Sequence, residues 1–394
     1  MGESDQRRRH APPAILGQSV DRARNDPDPS VTPLLRACRI ALVLLLPVAT
    51  GCQSDAAMPT DKPHHTTGGF RNLHPGGEFR GSFWKWQWER WRDGLPRVPE
   101  GGYHFEVLEP DVAALKANRI EPTITWIGHA TFLLQVGGRN IVTDPHLTGR
   151  ASPLSFAFFK RVTPPALDFA DLPHIDAVVI SHNHYDHLDL ETVQRLARQA
   201  GGSPRFFVPL GLKGWFGDEG IADVVEMDWW ESAALDGVRL TLTPVQHWSA
   251  RGLFDRNRSL WGGWRIDAPG HSAFFSGDTG YSPDFVEIRR RLGPVDLAML
   301  PIGAYEPRWF MQVMHANPEE AVRIHSDLGA RQSVAMHCGA HSRSPTNRWT
   351  SRRGGWPRHY RAPASTRRDS GCYAMAKPGP CHSVPALPRP TGHG

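Results

Sequence analysis

The feature that most constrains this chain is a loop of potential metal ligands between a predicted strand and a predicted helix. Residues 177–180 are an apolar run short enough for a buried strand, and residues 190–197 have helical spacing with Asp189 as the N-cap. The loop between them contains three histidines and one aspartate within six positions: His182, His184, Asp186 and His187. Imidazole and carboxylate groups bind cations such as zinc, so the loop predicts a metal site.

A loop of this kind can serve two neighbouring metal ions. His182 and His184 can point at one ion, while Asp186 and His187 point at the other. Two ions a few ångströms apart can share a water molecule and hold the entering and leaving oxygens of an in-line displacement. A single histidine is usually an ordinary surface or core residue, whereas four polar groups that face one small volume require a common partner.

Three more polar residues follow predicted strands farther along the chain. A strand that alternates polar and apolar residues leads to His247, and an apolar strand leads to His337. Asp278 follows a buried strand and lies between two glycines, which would let its backbone approach a metal closely. A carboxylate can bridge two cations; the alternative for Asp278 is a turn that closes a hairpin.

A strand and a hairpin predicted over residues 123–144 contain two further polar residues. His129 lies in the turn after the first strand, and Asp144 ends the hairpin. Each is an ordinary turn residue or, as the family resemblance described below implies, borders the metal site, and both interpretations stay open. Asn317, followed by a proline and two acids, predicts the start of a later helix.

The middle of the chain is acidic, although the 394 residues together have a formal charge of +5. Residues 1–51 carry seven Arg against five acids, and residues 338–394 carry nine Arg and one Lys against one Asp. The residues between them therefore have a negative net charge. A nucleic-acid-binding face would be basic, so we expect no nucleic-acid partner.

An apolar segment at residues 40–52 has the length of a signal-peptide core. It ends in a sequence similar to a bacterial lipobox, in which Cys52 would be lipidated, although Ala49 replaces the usual leucine. A plain secretory signal and a core helix are the alternatives, and a start near Val31 would give a signal of ordinary length. We expect a lipoprotein on the periplasmic side of a membrane in the cell envelope, or a cytoplasmic protein if the signal is not used.

Two aromatic segments have no single interpretation. Residues 83–91 place four tryptophans at short intervals, which suits an amphipathic helix, a membrane-surface element, a wall of an apolar pocket or simple packing on the main domain. Residues 147–174 are rich in proline and phenylalanine and predict a long apolar loop over the site.

Four segments of the chain resemble N-acylphosphatidylethanolamine-hydrolysing phospholipase D, a zinc phosphodiesterase of the metallo-β-lactamase superfamily. They are residues 126–131, 181–189, 276–281 and 301–311. The His-x-His-x-Asp-His pattern marks only the superfamily, whereas residues 301–325 are far more specific. The resemblance covers about 80–337 and implies an α/β fold, the four-layer αββα sandwich.

The resemblance also implies a role for each ligand. His182, His184 and His247 would hold the first of two zinc ions per chain, and Asp186, His187 and His337 the second. Asp278 would bridge the two ions, and His315 would lie by the reacting phosphate unless it is only a loop histidine before a helix. The residues with catalytic roles would be Asp186, Asp278 and His315.

The function that this resemblance implies is hydrolysis of a phospholipid-type phosphodiester by attack of a metal-bound hydroxide on phosphorus. The partners would be a phospholipid or another phosphodiester substrate and a membrane surface. Two alternatives stay open: a metal-dependent hydrolase of another bond, such as a lactone, and a catalytically impaired zinc-binding protein.

The expected organisation has four parts. Residues 1–52 are a leader with a signal, residues 53–79 a polar tether, and residues 80–337 the hydrolase domain. Residues 338–394 have few apolar residues and much Pro, Arg, Gly and Ser, so we expect a disordered tail or the product of a shifted reading frame.

Overall fold

The computed structural model describes residues 61–74, 83–94, 110–152 and 160–338, and the backbone of residues 371–373. The predicted signal segment, Phe156, Phe158 and Phe159 of the apolar loop, and most of the carboxyl-terminal tail lie outside these residues, so what was predicted for them stays a prediction. Within the described residues, no helix has the length and apolar character needed to cross a membrane.

The amino-terminal part of the described chain contains a short hairpin and two helices. The hairpin consists of β1 (His65–Thr66) and β2 (Gly69–Phe70), which pair antiparallel. The helices are α1 (Phe83–Asp93) and α2 (Val112–Ala117). The side chain of Asp111 caps α2 by accepting a hydrogen bond from the backbone N–H of Ala114 at 2.9 Å.

The first large sheet contains six strands in chain order. They are β3 (Thr123–Gly128), β4 (Thr131–Val136), β5 (Arg139–Thr143), β6 (Ala177–Val179), β7 (Arg205–Pro209) and β8 (Val224–Met227). Strands β3, β4 and β5 pair antiparallel, whereas β5 to β8 run parallel. The parallel strands are buried along most of their length, as expected for strands covered on both faces.

The second large sheet contains seven strands, again in chain order. They are β9 (Ser232–Leu235), β10 (Val238–Thr243), β11 (Gly263–Ala268), β12 (His271–Phe275), β13 (Leu297–Pro301), β14 (Gln332–Met336) and β15 (Gly371–Tyr373). Strands β9 to β12 pair antiparallel, and β12 to β15 run parallel.

Helices pack against both sheets. They are α3 (Leu190–Ala197), α4 (Lys213–Asp218), α5 (Asp284–Leu292), α6 (Arg308–Met311) and α7 (Pro318–Leu328). Leu133 of β4 shares a core with Val193 of α3, whereas its neighbour Phe132 shares a core with Trp264 of the second sheet. Successive residues of a strand point to opposite faces, so these two cores lie on the two sides of the first sheet. The predicted αββα sandwich is confirmed.

The carboxyl ends of several strands meet at one edge of the sandwich. In the first sheet, β5 leads to Asp144 and β6 leads to the histidine-rich loop. In the second sheet, β10 leads to His247, β12 to Asp278 and β14 to His337. Because β10, β12 and β14 point in the same direction, their polar residues emerge on the same side.

The two sheets are joined directly at this edge. The indole N–H of Trp264 donates to the carbonyl of Ile180 at 2.9 Å, and the N–H of Gly262 donates to the carbonyl of Ser181 at 2.9 Å. Gly277 has a φ of +57°, and a side chain there would overlap the Cβ of Ser181. Position 277, just before Asp278, therefore requires glycine, because the second sheet lies very close to the histidine-rich loop there.

Hydrogen bonds to Asp228, which follows β8, attach the segment of the hairpin β1–β2 to the first sheet. Its carboxylate accepts hydrogen bonds from His64 at 2.6 Å, from His65 at 2.9 Å and from Lys62 at 2.6 Å. Both histidines and the aspartate are buried, and His64 stacks on Trp229 with ring centroids 4.3 Å apart. This segment is therefore part of the domain, and the tether predicted over residues 53–79 does not describe it.

Several local predictions agree with the structure, whereas one segment of the tail forms a strand and differs from the predicted disorder. The helix at Leu190–Ala197 has the predicted bounds, with Asp189 at the N-cap, although this carboxylate accepts from the Thr192 hydroxyl and the Thr148 N–H rather than from a backbone N–H of the helix. Asn317 forms a capping box with Glu320. In the tail, Gly371–Tyr373 pairs with β14 as an edge strand, where the composition favoured disorder.

The ends of β13 and β14 generate a test of this arrangement. A Cβ at Gly303 would overlap the carbonyl oxygen of His337, and Gly303 does not have a positive φ, so the conflict is steric. We expect Gly303→Ala to lower the free energy of unfolding in urea by about 1–3 kcal/mol, as overpacking does. In the control Gly214→Ala, the new methyl group meets no atom within 4 Å, so stability should stay equal or rise. Equal stability of the two variants would contradict the packing of His337 on Gly303.

Candidate metal centre

Three histidines form the first ligand group. Nε2 of His182 lies 2.8 Å from Nδ1 of His184, which in turn lies 3.4 Å from Nε2 of His247. His182 and His247 are almost completely buried. Three imidazole nitrogens that converge at this spacing are suited to one cation and leave a further position for a water or a substrate.

A second ligand group lies beside the first. Oδ2 of Asp186 is 3.3 Å from Nε2 of His337 and 3.6 Å from Nε2 of His187. His129 joins this group, since its Nε2 lies 3.0 Å from the same carboxylate oxygen. The turn residue that the sequence left open therefore borders the site and contacts a ligand directly.

Asp278 lies between the two groups. Its Oδ2 is 3.3 Å from Nε2 of His187, 3.1 Å from Nε2 of His337 and 4.0 Å from Nε2 of His247. One carboxylate oxygen thus faces histidines of both groups, which is the placement needed to bridge two cations. His315 lies at the same oxygen, with its Nδ1 3.7 Å away.

Hydrogen bonds behind the ligands determine which ring nitrogen points into the site. The Nδ1–H of His187 donates to Asp144 at 2.6 Å, and the Nδ1–H of His247 donates to the carbonyl of Met314 at 2.9 Å. Asp144 also accepts from the Ser181 hydroxyl at 2.5 Å, and that hydroxyl oxygen lies 2.9 Å from Nδ1 of His182. In His182, His187 and His247, Nδ1 is therefore hydrogen-bonded and Nε2 is left for a cation. Metal-binding histidines usually form such a hydrogen bond with their other ring nitrogen.

The charge states suit the binding of cations. Burial lowers the pKa of His184 to about 4 and that of His247 to about 3, so both rings are neutral and can coordinate a metal. Burial alone would raise the pKa of Asp278, but His337 and His187 hold it well below its ordinary value. Burial would lower the pKa of His337, yet Asp278 and Asp186 raise it to about 9. A proton on His337 thus balances the two carboxylates, and a cation can take its place.

The polar atoms in this cluster fit divalent metal ions. Five buried atoms of the predicted site residues have no hydrogen-bond partner among the described residues: Nε2 of His184, Nε2 of His187, Oδ1 of Asp278, Nδ1 of His315 and Nδ1 of His337. Buried polar groups are normally paired, and their concentration at one place indicates a missing partner. Histidine nitrogens with carboxylate oxygens are a donor set that suits zinc and similar metals.

All seven predicted ligands lie in this cluster, and two features of it were not predicted. The side chain of Asn72 contacts both backbone polar groups of His247: its amide N–H donates to the carbonyl at 2.9 Å, and its oxygen accepts from the N–H at 3.2 Å. Arg308 donates to the carbonyl of His315 at 2.8 Å. Its Nη2 also forms an ion pair with both carboxylate oxygens of Glu320. A lone asparagine far away in sequence gives no signal of such contacts.

Comparisons with known proteins agree with this geometry. A family model described as a beta-lactamase superfamily domain matches residues 139–338, slightly more than half of the chain. The N-acyl-phosphatidylethanolamine-hydrolyzing phospholipase D 1 of Caenorhabditis elegans is 45% identical over 232 residues, which are 56% of this chain and 65% of that protein. The chain thus spans slightly less than two thirds of that relative's length.

Two further similarities cover other proportions of the chain. An uncharacterized protein of Mycobacterium tuberculosis is 37% identical over 312 residues, which are 76% of this chain and 81% of that protein. Igni18, a solved metallo hydrolase from the archaeon Ignicoccus hospitalis, is 25% identical with a TM-score of 0.42, over 55% of this chain and 82% of that one. The family model and the longer relative together establish that this chain belongs to the metallo-β-lactamase superfamily of metal-dependent hydrolases.

Proposed function

We propose that this protein is a zinc-dependent phosphodiesterase with two zinc ions per chain, which hydrolyses a phospholipid-type substrate as a phospholipase D does. The observation that carries the proposal is Asp278, whose Oδ2 faces both ligand groups at once. The substrate class is supported by the relative named as an N-acyl-phosphatidylethanolamine-hydrolyzing phospholipase D, which is 45% identical over the matched region.

The chemistry divides between the metals and the chain. Zinc ions, when bound, would lower the pKa of a water and neutralise charge on the phosphoryl oxygens. Asp186 and Asp278 would supply negative charge that holds the cations. Burial lowers the pKa of His315 to about 3, so its ring is neutral, and it offers an N–H to a phosphoryl oxygen beside Asp278. The ion pair of Arg308 with Glu320 holds the backbone of His315 in place.

The two alternatives are less well supported. A catalytically impaired zinc-binding protein is disfavoured because every predicted ligand lies in the cluster, and the rings of His187 and His247 are held by hydrogen bonds at Nδ1. A hydrolase of another bond, such as a lactone, would use the same metals, and turnover of a simple phosphodiester separates the two. Inactivity on phosphodiesters together with activity on a lactone would favour that alternative.

Helix α1 supports the proposal that the protein works at a membrane surface. Trp84, Trp88 and Trp91 are 77%, 57% and 74% exposed, and their spacing places them on one face of the helix. On another face, Trp86 stacks on Phe310 of α6, with ring centroids 5.0 Å apart and planes within 4°. Exposed tryptophans beside basic side chains suit the interface of a lipid bilayer.

The location in the cell is part of the proposal. The lipobox-like sequence before Cys52 lies outside the described residues, so a lipoprotein anchor in the cell envelope is supported by sequence alone. An anchor there and a membrane-facing α1 would hold the domain at the surface from which a lipid substrate enters.

The role of Asp278 is tested by replacement with asparagine. The purified protein should contain two zinc ions per chain by elemental analysis, and Asp278→Asn should lose one or both. Hydrolysis of bis(p-nitrophenyl) phosphate should fall more than about 100-fold, because both the bridge and its charge are weakened. The matched control is Asp223→Asn, an exposed carboxylate at the start of β8, which should keep full zinc content and rate. Wild-type turnover in Asp278→Asn would show that this residue only closes a turn.

Membrane contact by α1 is tested with vesicles that contain anionic phospholipid. The triple variant Trp84→Ala, Trp88→Ala, Trp91→Ala should bind them at least about tenfold more weakly, since each lost indole removes apolar area from the interface. Hydrolysis of a small soluble phosphodiester should change little. The control replaces Ile120 and Val286, two exposed apolar residues elsewhere, with alanine. Equal vesicle binding by both variants would exclude α1 as the docking element.

A further inference from the structure

A pocket of about 570 Å³ opens beside the first ligand group, with His247 in its wall. The segment before α1 forms one side through Arg71 and Leu73, and the residues after His247 form another through Trp248 and Arg256. Met314, whose carbonyl holds the ring of His247, contributes to the wall as well. The pocket is therefore adjacent to the metal centre and shares residues with it.

The polar groups of this pocket are mainly hydrogen-bond donors. Arg71 and Arg256 line it, and neither forms an ion pair with a carboxylate in the described part of the chain. The indole N–H of Trp248 is buried and has no hydrogen-bond partner there. None of the described residues that line the pocket is acidic. Arg71 donates to the carbonyl of Pro63 at 2.8 Å, but neither guanidinium group has a carboxylate partner among the described residues, which suits a negatively charged ligand.

Trp248 connects this pocket to the metal ligands. The guanidinium carbon of Arg256 lies 4.1 Å from the centroid of the Trp248 ring. The same ring meets His184 edge-on, with centroids 4.4 Å apart. A group bound at Arg256 would therefore lie at an indole that also contacts a histidine of the first ligand group.

We propose that this pocket binds a second anionic group of the substrate, a carboxylate or a phosphate on one of the alcohols of the phosphodiester. The inference rests on the proposed phosphodiesterase function and narrows its substrate class. Arg71 and Arg256 select for negative charge at this position and against an ammonium group. The apolar surfaces of Leu73, Trp248 and Met314 accommodate the chain that joins this group to the reacting phosphate.

The experiment compares three diesters that differ only in the charge at one end. Each has p-nitrophenol as one alcohol, and the other alcohol is a four-carbon chain that ends in a carboxylate, a methyl group or an ammonium group. Zinc-loaded protein should hydrolyse the carboxylate diester with a kcat/KM about tenfold above that of the uncharged diester, because charge-assisted hydrogen bonds contribute to binding. The ammonium diester should be the poorest substrate.

Substitutions distinguish the effect of the pocket on substrate preference from the effect of the protein's overall charge. Arg256→Gln and Arg71→Gln should each reduce the ratio of kcat/KM between the carboxylate and ammonium diesters several-fold, and the double variant should bring it near one. The matched control is Arg258→Gln, an exposed arginine of the same loop that does not line the pocket. This variant removes the same charge and should keep the wild-type ratio.

Binding of phosphonate analogues, measured by titration calorimetry, distinguishes failure of the pocket from failure of the proposed function. Absence of hydrolysis, with tighter binding of the carboxylate analogue that depends on Arg256, would refute the phosphodiesterase and leave the pocket as an anion site. Hydrolysis of all three diesters with equal kcat/KM would overturn the inference. A charge preference that Arg258→Gln removes as fully as Arg256→Gln would overturn it too, since the net charge of the surface would then explain the preference.

Discussion

Burial of two carboxylates among histidines is the constraint on which the rest of this structure depends. Asp186 and Asp278 lie within 4 Å of several imidazole nitrogens; the side chain of Asp278 is almost completely buried, and that of Asp186 is 27% exposed. Charged groups are costly to bury unless positive charge balances them, and the raised pKa of His337 indicates that demand. Each loop at this edge of the sandwich therefore has to deliver its ligand accurately, and the outer bonds of Asp144 and Met314 serve that purpose.

The metal centre also depends on residues that precede the region matched by the family model. Asn72 holds His247 through both of its backbone groups, and it belongs to the segment that Asp228 clasps through Lys62, His64 and His65. The same segment contributes Arg71 to the proposed anion pocket. One stretch of chain thus positions a ligand through its backbone and contributes to the adjacent pocket.

Helix α1, α6 and the loop to His315 form a connected path between the exposed tryptophans and the metal centre. Trp86 of α1 stacks on Phe310, and Arg308 of the same short helix α6 holds the carbonyl of His315. In the proposed function, the surface that meets the bilayer is therefore mechanically linked to the residue beside the reacting phosphate. The proposed anion pocket adjoins this path, because Met314, the neighbour of His315, contributes to its wall.

The sequence by itself predicted the ligand positions from local patterns, and it predicted the sandwich through its resemblance to a known family. Apolar runs followed at once by His182, His247 or Asp278 identify strands that end at a metal site, and this pattern is independent of what packs around it. The short strands β8 and β9 and the roles of Asn72 and Asp228 depended on tertiary structure. Asn72 and Asp228 bond to residues more than a hundred positions away in the sequence. Local sequence periodicity gives no indication of such contacts. The pocket has the same origin, since Arg71 and Arg256 become neighbours of one cavity only when the hairpin β1–β2 docks beside His247.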